Sequence, residues 1–172
     1  TEFSAGIGNI YTNGKYAIKT NIMTYRKEYD SEESYNVSYK SHALSFLYRN
    51  TRHSTELTLS YDILKLSLKE YLNTYSVGPK YEYLHTPTLK SIAYFKYQSK
   101  FFQQAAQKNL NANRYVLSYG LQKILSRRSL IQVNLIGAQE KDSADLKDKS
   151  KLPIYVRYSE GKLNMIYMNQ FS

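Results

Sequence analysis

Three histidines, His42, His53 and His85, are the imidazoles available for acid–base or metal chemistry in a chain whose 172 residues include no cysteine. None has a second ligand at the short spacing that holds zinc. Ser41 precedes His42 and offers a hydroxyl nucleophile beside a base, the minimum for a hydrolase. On an extended strand, however, neighbouring side chains leave on opposite faces, so the two do not meet. His53 and His85 sit beside turn residues, where a solvated ring is the expectation. Two acidic groups, Glu28-Asp30-Glu32-Glu33 and Asp142-Asp145-Asp148, offer carboxylates for calcium or for divalent bridges to anionic lipid, but lack EF-hand spacing and read as solvated loops. Gly6-x-Gly8 lacks the strand–turn–helix setting of a phosphate cradle. The expectation is therefore no catalytic, cofactor-binding or metal-ligating residue, no cofactor, and no enzymatic activity.

The cations are more informative. Net charge is +10, and most of the excess falls after residue 100. Such a chain suits anionic partners. Most basic residues stand singly, and no basic helix or aromatic-glycine signature marks a nucleic-acid binder, so none is expected as partner. Lys15, Lys19, Lys65, Lys69, Lys96 and Lys123 mostly take the parity opposite the apolar residues. On the wall of an open barrel that parity would line the interior with positive charge and favour anions.

What positions these residues is a two-residue rhythm. Leu57-Leu59-Tyr61-Ile63, Tyr115-Leu117-Tyr119-Leu121, Ile131-Val133-Leu135 and Leu163-Met165-Tyr167 each put apolar side chains on one face of a strand. Nineteen tyrosines and no tryptophan decorate these stretches. A ring apolar in its body and polar at its tip suits a boundary between lipid, or a thin core, and water. Mean hydropathy is that of a soluble protein, and no run approaches the ~20 apolar residues of a membrane helix. Membrane barrels escape that test, since half of each strand is polar.

Turn signals at Thr12-Asn13-Gly14, 30–34, 50–54, 72–74, 85–88, 103–113, 126–129, 141–151 and 160–162 divide the chain into about ten strands. They run roughly 3–11, 15–28, 35–49, 55–71, 75–84, 89–102, 114–125, 129–139, 152–158 and 163–171. Apolar parity slips between Asp62 and Leu72, which fits either a β-bulge or a short helical stripe. A similar slip falls at Ser41–Leu44, and Phe101–Ala106 is compatible with a helical turn. Odd-numbered connections are short, while the second, sixth and eighth are long, the asymmetry of outer-membrane barrels. With ten strands, both ends of the chain lie on the long-loop side. The opening Thr1-Glu2-Phe3 has neither Met nor a leader pattern and reads as a mature form or an excised piece.

Tyr75-Ser-Val-Gly-Pro-Lys-Tyr-Glu-Tyr-Leu84 and Arg114-Tyr-Val-Leu-Ser-Tyr-Gly-Leu-Gln-Lys-Ile-Leu-Ser126 are alternating strands. The second leads into Leu125-Ser126-Arg127-Arg128-Ser129-Leu130, a further strand to Ala138, and an acidic loop. This order resembles the hairpins of bacterial outer-membrane barrels, most of all those that follow tetratricopeptide repeats, such as the surface lipoprotein assembly modifiers. The resemblance implies an outer-membrane pore or export barrel. The final strand, Leu163-Met165-Tyr167 then Phe171, is similar to those read by the barrel assembly machinery.

The resulting expectation is an all-β, antiparallel up-and-down meander over residues 1–172, a single transmembrane-type β-barrel of about ten strands or a section of a larger one. Its function would be a pore or an export channel for a surface component in the cell outer membrane. Partners would be outer-membrane lipid, lipopolysaccharide, a translocated protein or glycan, and the assembly machinery. The alternative is a soluble periplasmic up-and-down barrel that binds a lipid or another anionic ligand. An outer-membrane hydrolase is a third reading. The first two differ in which face is greasy: outward for lipid, inward for a soluble core.

Overall fold

The computed structural model describes residues 1–29, 36–67, 69–104, 107, 110–126, 129–142 and 158–169. Nine strands form one sheet: β1 Glu2–Asn13, β2 Tyr16–Lys27, β3 Val37–Arg49, β4 His53–Leu66, β5 Lys69–Thr86, β6 Leu89–Phe102, β7 Ala112–Ser126, β8 Ser129–Asp142 and β9 Tyr158–Asn169. Every strand pairs antiparallel with its sequence neighbour, in the order β1 to β9 without a crossover. No α-helix occurs among the described residues. The sheet is open, with β1 bonded only to β2 and β9 only to β8 among these residues.

Strands of 12 to 18 residues exceed the usual five or six of globular sheets and are longer than the roughly 9–11 residues a tilted strand needs to cross a bilayer. Local chemistry sets their ends. Gly14 takes φ of +58°, a conformation that costs most residues about 1–2 kcal/mol and glycine little, so β1 folds back on β2 within two residues. Arg49 N donates to Lys15 O at 2.7 Å, extending the β2–β3 ladder, and Asn50 N donates to His53 O at 2.8 Å, which closes the β3–β4 turn.

Several boundaries differ from the sequence reading. Asn73 and Thr74, turn formers by composition, are buried inside β5, where Thr74 pairs with Asp62 on one side and Lys100 on the other. The chain turns earlier, at Ser67, which adopts φ of +50°. The parity slip is a real bulge: Leu64 pairs with Leu72 and Lys65 with Glu70, leaving Tyr71 as the extra residue on β5. No helical stripe forms there. At Ser41–Leu44 the register stays regular, and the slip reflects only Ala43 lying on the polar face. Glu160-Gly161-Lys162, expected as a hairpin tip, lies inside β9, with Gly161 opposite Gly137. The described chain thus has nine strands. The strand expected at 152–158 falls outside the described residues except for its last position.

The connection pattern survives this recount. The first, third, fifth and seventh links have at most three residues. The second, sixth and eighth span 28–36, 103–111 and 143–157, while the fourth, 67–68, is short. With nine strands, β1 starts at the long-loop end and β9 finishes at the short-turn end, which corrects the placing of both ends on one side.

Candidate pore wall and lipid-facing belt

Antiparallel register places directly opposed residues on the same face, so the two faces can be read across the sheet. One face carries Ser45 opposite Thr58, Ser41 opposite Asp62 and Ser60 opposite Ser76. These pairs bond to one another: Ser41 Oγ donates to Asp62 Oδ1 at 2.5 Å, Ser45 Oγ lies 2.8 Å from Thr58 Oγ1, and Ser60 Oγ 2.6 Å from Ser76 Oγ. Lys19, Glu56, Lys80, Glu82, Lys90, Lys96, Lys100, Arg114 and Glu140 belong to the same face by register.

That face is concave. Lys19 of β2 reaches Glu56 of β4 at 3.5 Å, over β3. Lys100 of β6 reaches Glu140 of β8 at 2.6 Å, over β7. On a flat sheet these partners would start about 10 Å apart and point in parallel; on a curled one the side chains converge. The residues bridged over are the best-buried apolar groups described, Leu47 at 5% exposure and Ala112 at 2%. The wall is also crowded where small residues allow: a Cβ at Gly78 would touch the Tyr94 ring at 3.2 Å, and one at Gly120 would press on Asn134 and the Val133 carbonyl.

The opposite face is apolar and outward. Ile18, Ile22, Phe46, Leu57, Leu59, Phe95, Leu117, Leu121 and Leu135 lie on it by register and are all exposed, Leu117 at 64% and Leu135 at 59%. Tyrosines border this band at both heights. Toward the long loops Tyr61 stacks on Tyr75 with centroids 4.7 Å apart, and Tyr97 meets Tyr115 at 5.2 Å. Toward the short turns Tyr16 meets Tyr48 at 5.3 Å, and His53 lies 5.0 Å from Tyr83. Two aromatic girdles around an apolar band are the mark of a strand wall immersed in lipid. No large side chain is fully buried among the described residues. The exposed area is 12612 Å², against about 8,700 Å² for a compact soluble protein of this mass. The greasy side is thus the exposed side, opposite to what a soluble barrel requires.

The sequence candidates distribute accordingly. His42 lies on the apolar face between Ile22 and Tyr61, and Ser41 on the polar face, so the pair is split as strand geometry demands. His53 Nδ1 bonds Tyr81 Oη at 2.6 Å and His85 Nε2 bonds Ser91 Oγ at 3.1 Å. Among the described residues no three His, Asp or Glu groups gather to hold a metal. Glu28 pairs with Arg26, and the remaining acids of both loop clusters lie outside the described side chains. Of the six lysines expected to line the interior, Lys19 and Lys96 lie mid-wall, whereas Lys15 is in a turn, Lys69 begins its strand and Lys65 and Lys123 sit at strand ends on the outer face. Lys80, Lys90, Lys100 and Arg114, which the sequence reading missed, line the wall instead. Even parity over 72–102 and 112–122 was the available signal; the bulge at Tyr71 hid it.

No family model matches the chain, and no curated protein does. Solved structures do. The chain is similar to OmpT of Vibrio cholerae folded in vitro, an outer-membrane protein, with a TM-score of 0.71 at 10% identity over 97% of this chain and 54% of that one. OmpT expressed in the outer membrane gives 0.69 at 10% identity over 82% and 47%. A loop L8 deletion mutant of OmpT gives 0.68 at 10% identity over 81% and 49%. The chain therefore spans about half the length of the solved barrels it matches, and at this identity the likeness is one of fold. With its girdled apolar face outward and its polar face concave, the chain has the fold of an integral outer-membrane β-barrel, an open nine-stranded section of the wall of an architecture that belongs to the outer membrane.

Proposed function

We propose that the chain forms the wall of a water-filled outer-membrane pore that passes small anionic solutes by diffusion, without catalysis and without a cofactor. The observation that carries this reading is the placement of cations: by register, and among the described side chains, nine basic groups, Lys19, Lys27, Arg49, Lys69, Lys80, Lys90, Lys96, Lys100 and Arg114, face the concave side, against five carboxylates, Glu2, Glu56, Asp62, Glu82 and Glu140. Fixed charges of one sign on a narrow aqueous wall concentrate the opposite ion and raise its passage. The apolar face takes outer-membrane lipid and lipopolysaccharide as its surroundings, and the barrel assembly machinery inserts it. The protein refolded into planar bilayers should conduct, and under a potassium chloride gradient its reversal potential should lie on the chloride side. A folded, inserted protein that shows no conductance, or a cation-side potential, would overturn the proposal.

The hairpin order around Leu125–Leu130, which resembles that of the surface lipoprotein assembly modifiers, favours a second reading in which the same lumen exports a surface protein or glycan. Surface display of a co-expressed lipoprotein that depends on this chain would support export over diffusion.

A further inference from the structure

A cavity of about 360 Å³ opens at the short-turn end of the concave wall, beneath the β3–β4 turn. Five cations line it, Lys19, Arg49, Arg52, Lys80 and Lys90, with two carboxylates, Glu56 and Glu82. The lysines are committed: Lys19 lies 3.5 Å from Glu56, while Lys80 and Lys90 share Glu82 at 2.6 and 3.3 Å. The guanidinium groups of Arg49 and Arg52 have no carboxylate partner among the described residues. Their backbone is nonetheless fixed. Arg52 N donates to Asn50 Oδ1 at 3.2 Å, and Arg52 O accepts from Leu84 N at 2.8 Å. Arg49 N is held by Lys15 O at 2.7 Å.

Two rigidly rooted guanidinium groups with unused donors, set among three further cations, form a site short of negative charge. Guanidinium forks match the oxygens of phosphate two at a time, and such charge-assisted bonds are about twice as strong as neutral ones. Thr51 and Ser54 on the rim add hydroxyl donors. Five cations against two carboxylates favour a dianion over a monoanion. The volume falls at the small end of ligand sites, about 300–1,000 Å³. We infer that this cavity binds the phosphate group of a small solute between Arg49 and Arg52, with the rest of the solute along Lys80 and Lys90. The inference deepens the pore reading and rests on it for the route by which ligand arrives. Binding itself needs no conductance.

The test is calorimetric titration of the full chain folded in detergent, its folding verified by heat-modifiable migration on a gel. Inorganic phosphate and a hexose phosphate are the probes. Saturable binding is expected, weakened about tenfold by Arg49→Gln and by Arg52→Gln and less than twofold by Lys96→Gln, which lies farther along the wall. Tighter hexose phosphate binding identifies an organic phosphate as ligand, and equal binding identifies free phosphate; either sustains the site. Absence of binding by the folded protein overturns it. So does equal weakening by Lys96→Gln and the arginine changes, which would mean a diffuse field. A protein that binds phosphate but passes no current removes the pore reading and keeps the site; one that conducts without binding does the reverse.

Discussion

Introducing arginine at two adjacent positions of β7, Leu117 and Ser118, separates a lipid-facing wall from any soluble alternative. Strand β7 has 15 residues. At about 3.4 Å per residue and a tilt near 40°, each residue climbs about 2.6 Å along the membrane normal. An apolar band about 25 Å tall then takes roughly ten residues, and Leu117 sits about 5 Å from its centre. Leu117 is 64% exposed on the apolar face, opposite Phe95 and Gly137. Leu117→Arg should therefore cost close to the about 2–4 kcal/mol of a midplane arginine, or a factor of at least about 30 in the folding equilibrium. Ser118 is one step on and faces the concave wall opposite Tyr94 and Ile136. There the longer side chain extends into water, and Ser118→Arg should cost under about 1 kcal/mol. Urea titration in lipid vesicles, read by heat-modifiable migration, measures both. On a water-exposed face, Leu117→Arg would stay within about 0.5 kcal/mol of the parent. That result, with Ser118→Arg the more damaging change, would refute the assignment of faces.

Other expectations follow from single contacts. Gly120→Val should destabilise by about 1–3 kcal/mol in the same titration, because its Cβ would meet the Val133 carbonyl at 3.2 Å and displace Asn134; Asn134→Ser should recover part of the loss. Gly14→Val should cost about 1–2 kcal/mol through its φ of +58°, and Gly14→Asn under about 0.5 kcal/mol, both visible as shifts in the urea midpoint. Reversing two wall charges, Lys80→Glu with Lys90→Glu, should move the reversal potential toward the cation side in a chloride gradient while leaving heat-modifiable migration unchanged. The half-exposed ion pairs these lysines make with Glu82 contribute only about 0.2–1 kcal/mol each to folding.

Sheet order, antiparallel pairing and most strand limits were legible along the chain, because each is a local property. Alternation fixes faces within a strand, and Gly14 reaches the positive φ of a tight turn at little cost. Where the reading missed, distant partners had decided. Asn73 and Thr74 look like a turn until β4 and β6 pair with them on both sides, and Gly161 looks like a hairpin tip until Gly137 lies opposite it.

The sequence by itself determined that this chain is a meander of two-faced strands rich in tyrosine, since side-chain alternation needs no partner. It left undecided which face turns outward, because a period of two is blind to curvature. Only the tertiary structure settled that, by curling the sheet so that Lys19 reaches Glu56 and Lys100 reaches Glu140 across intervening strands. The same curvature gathers Arg49 and Arg52, Lys80 and Lys90 from three strands and a turn around one cavity, a set with no spacing in common along the chain.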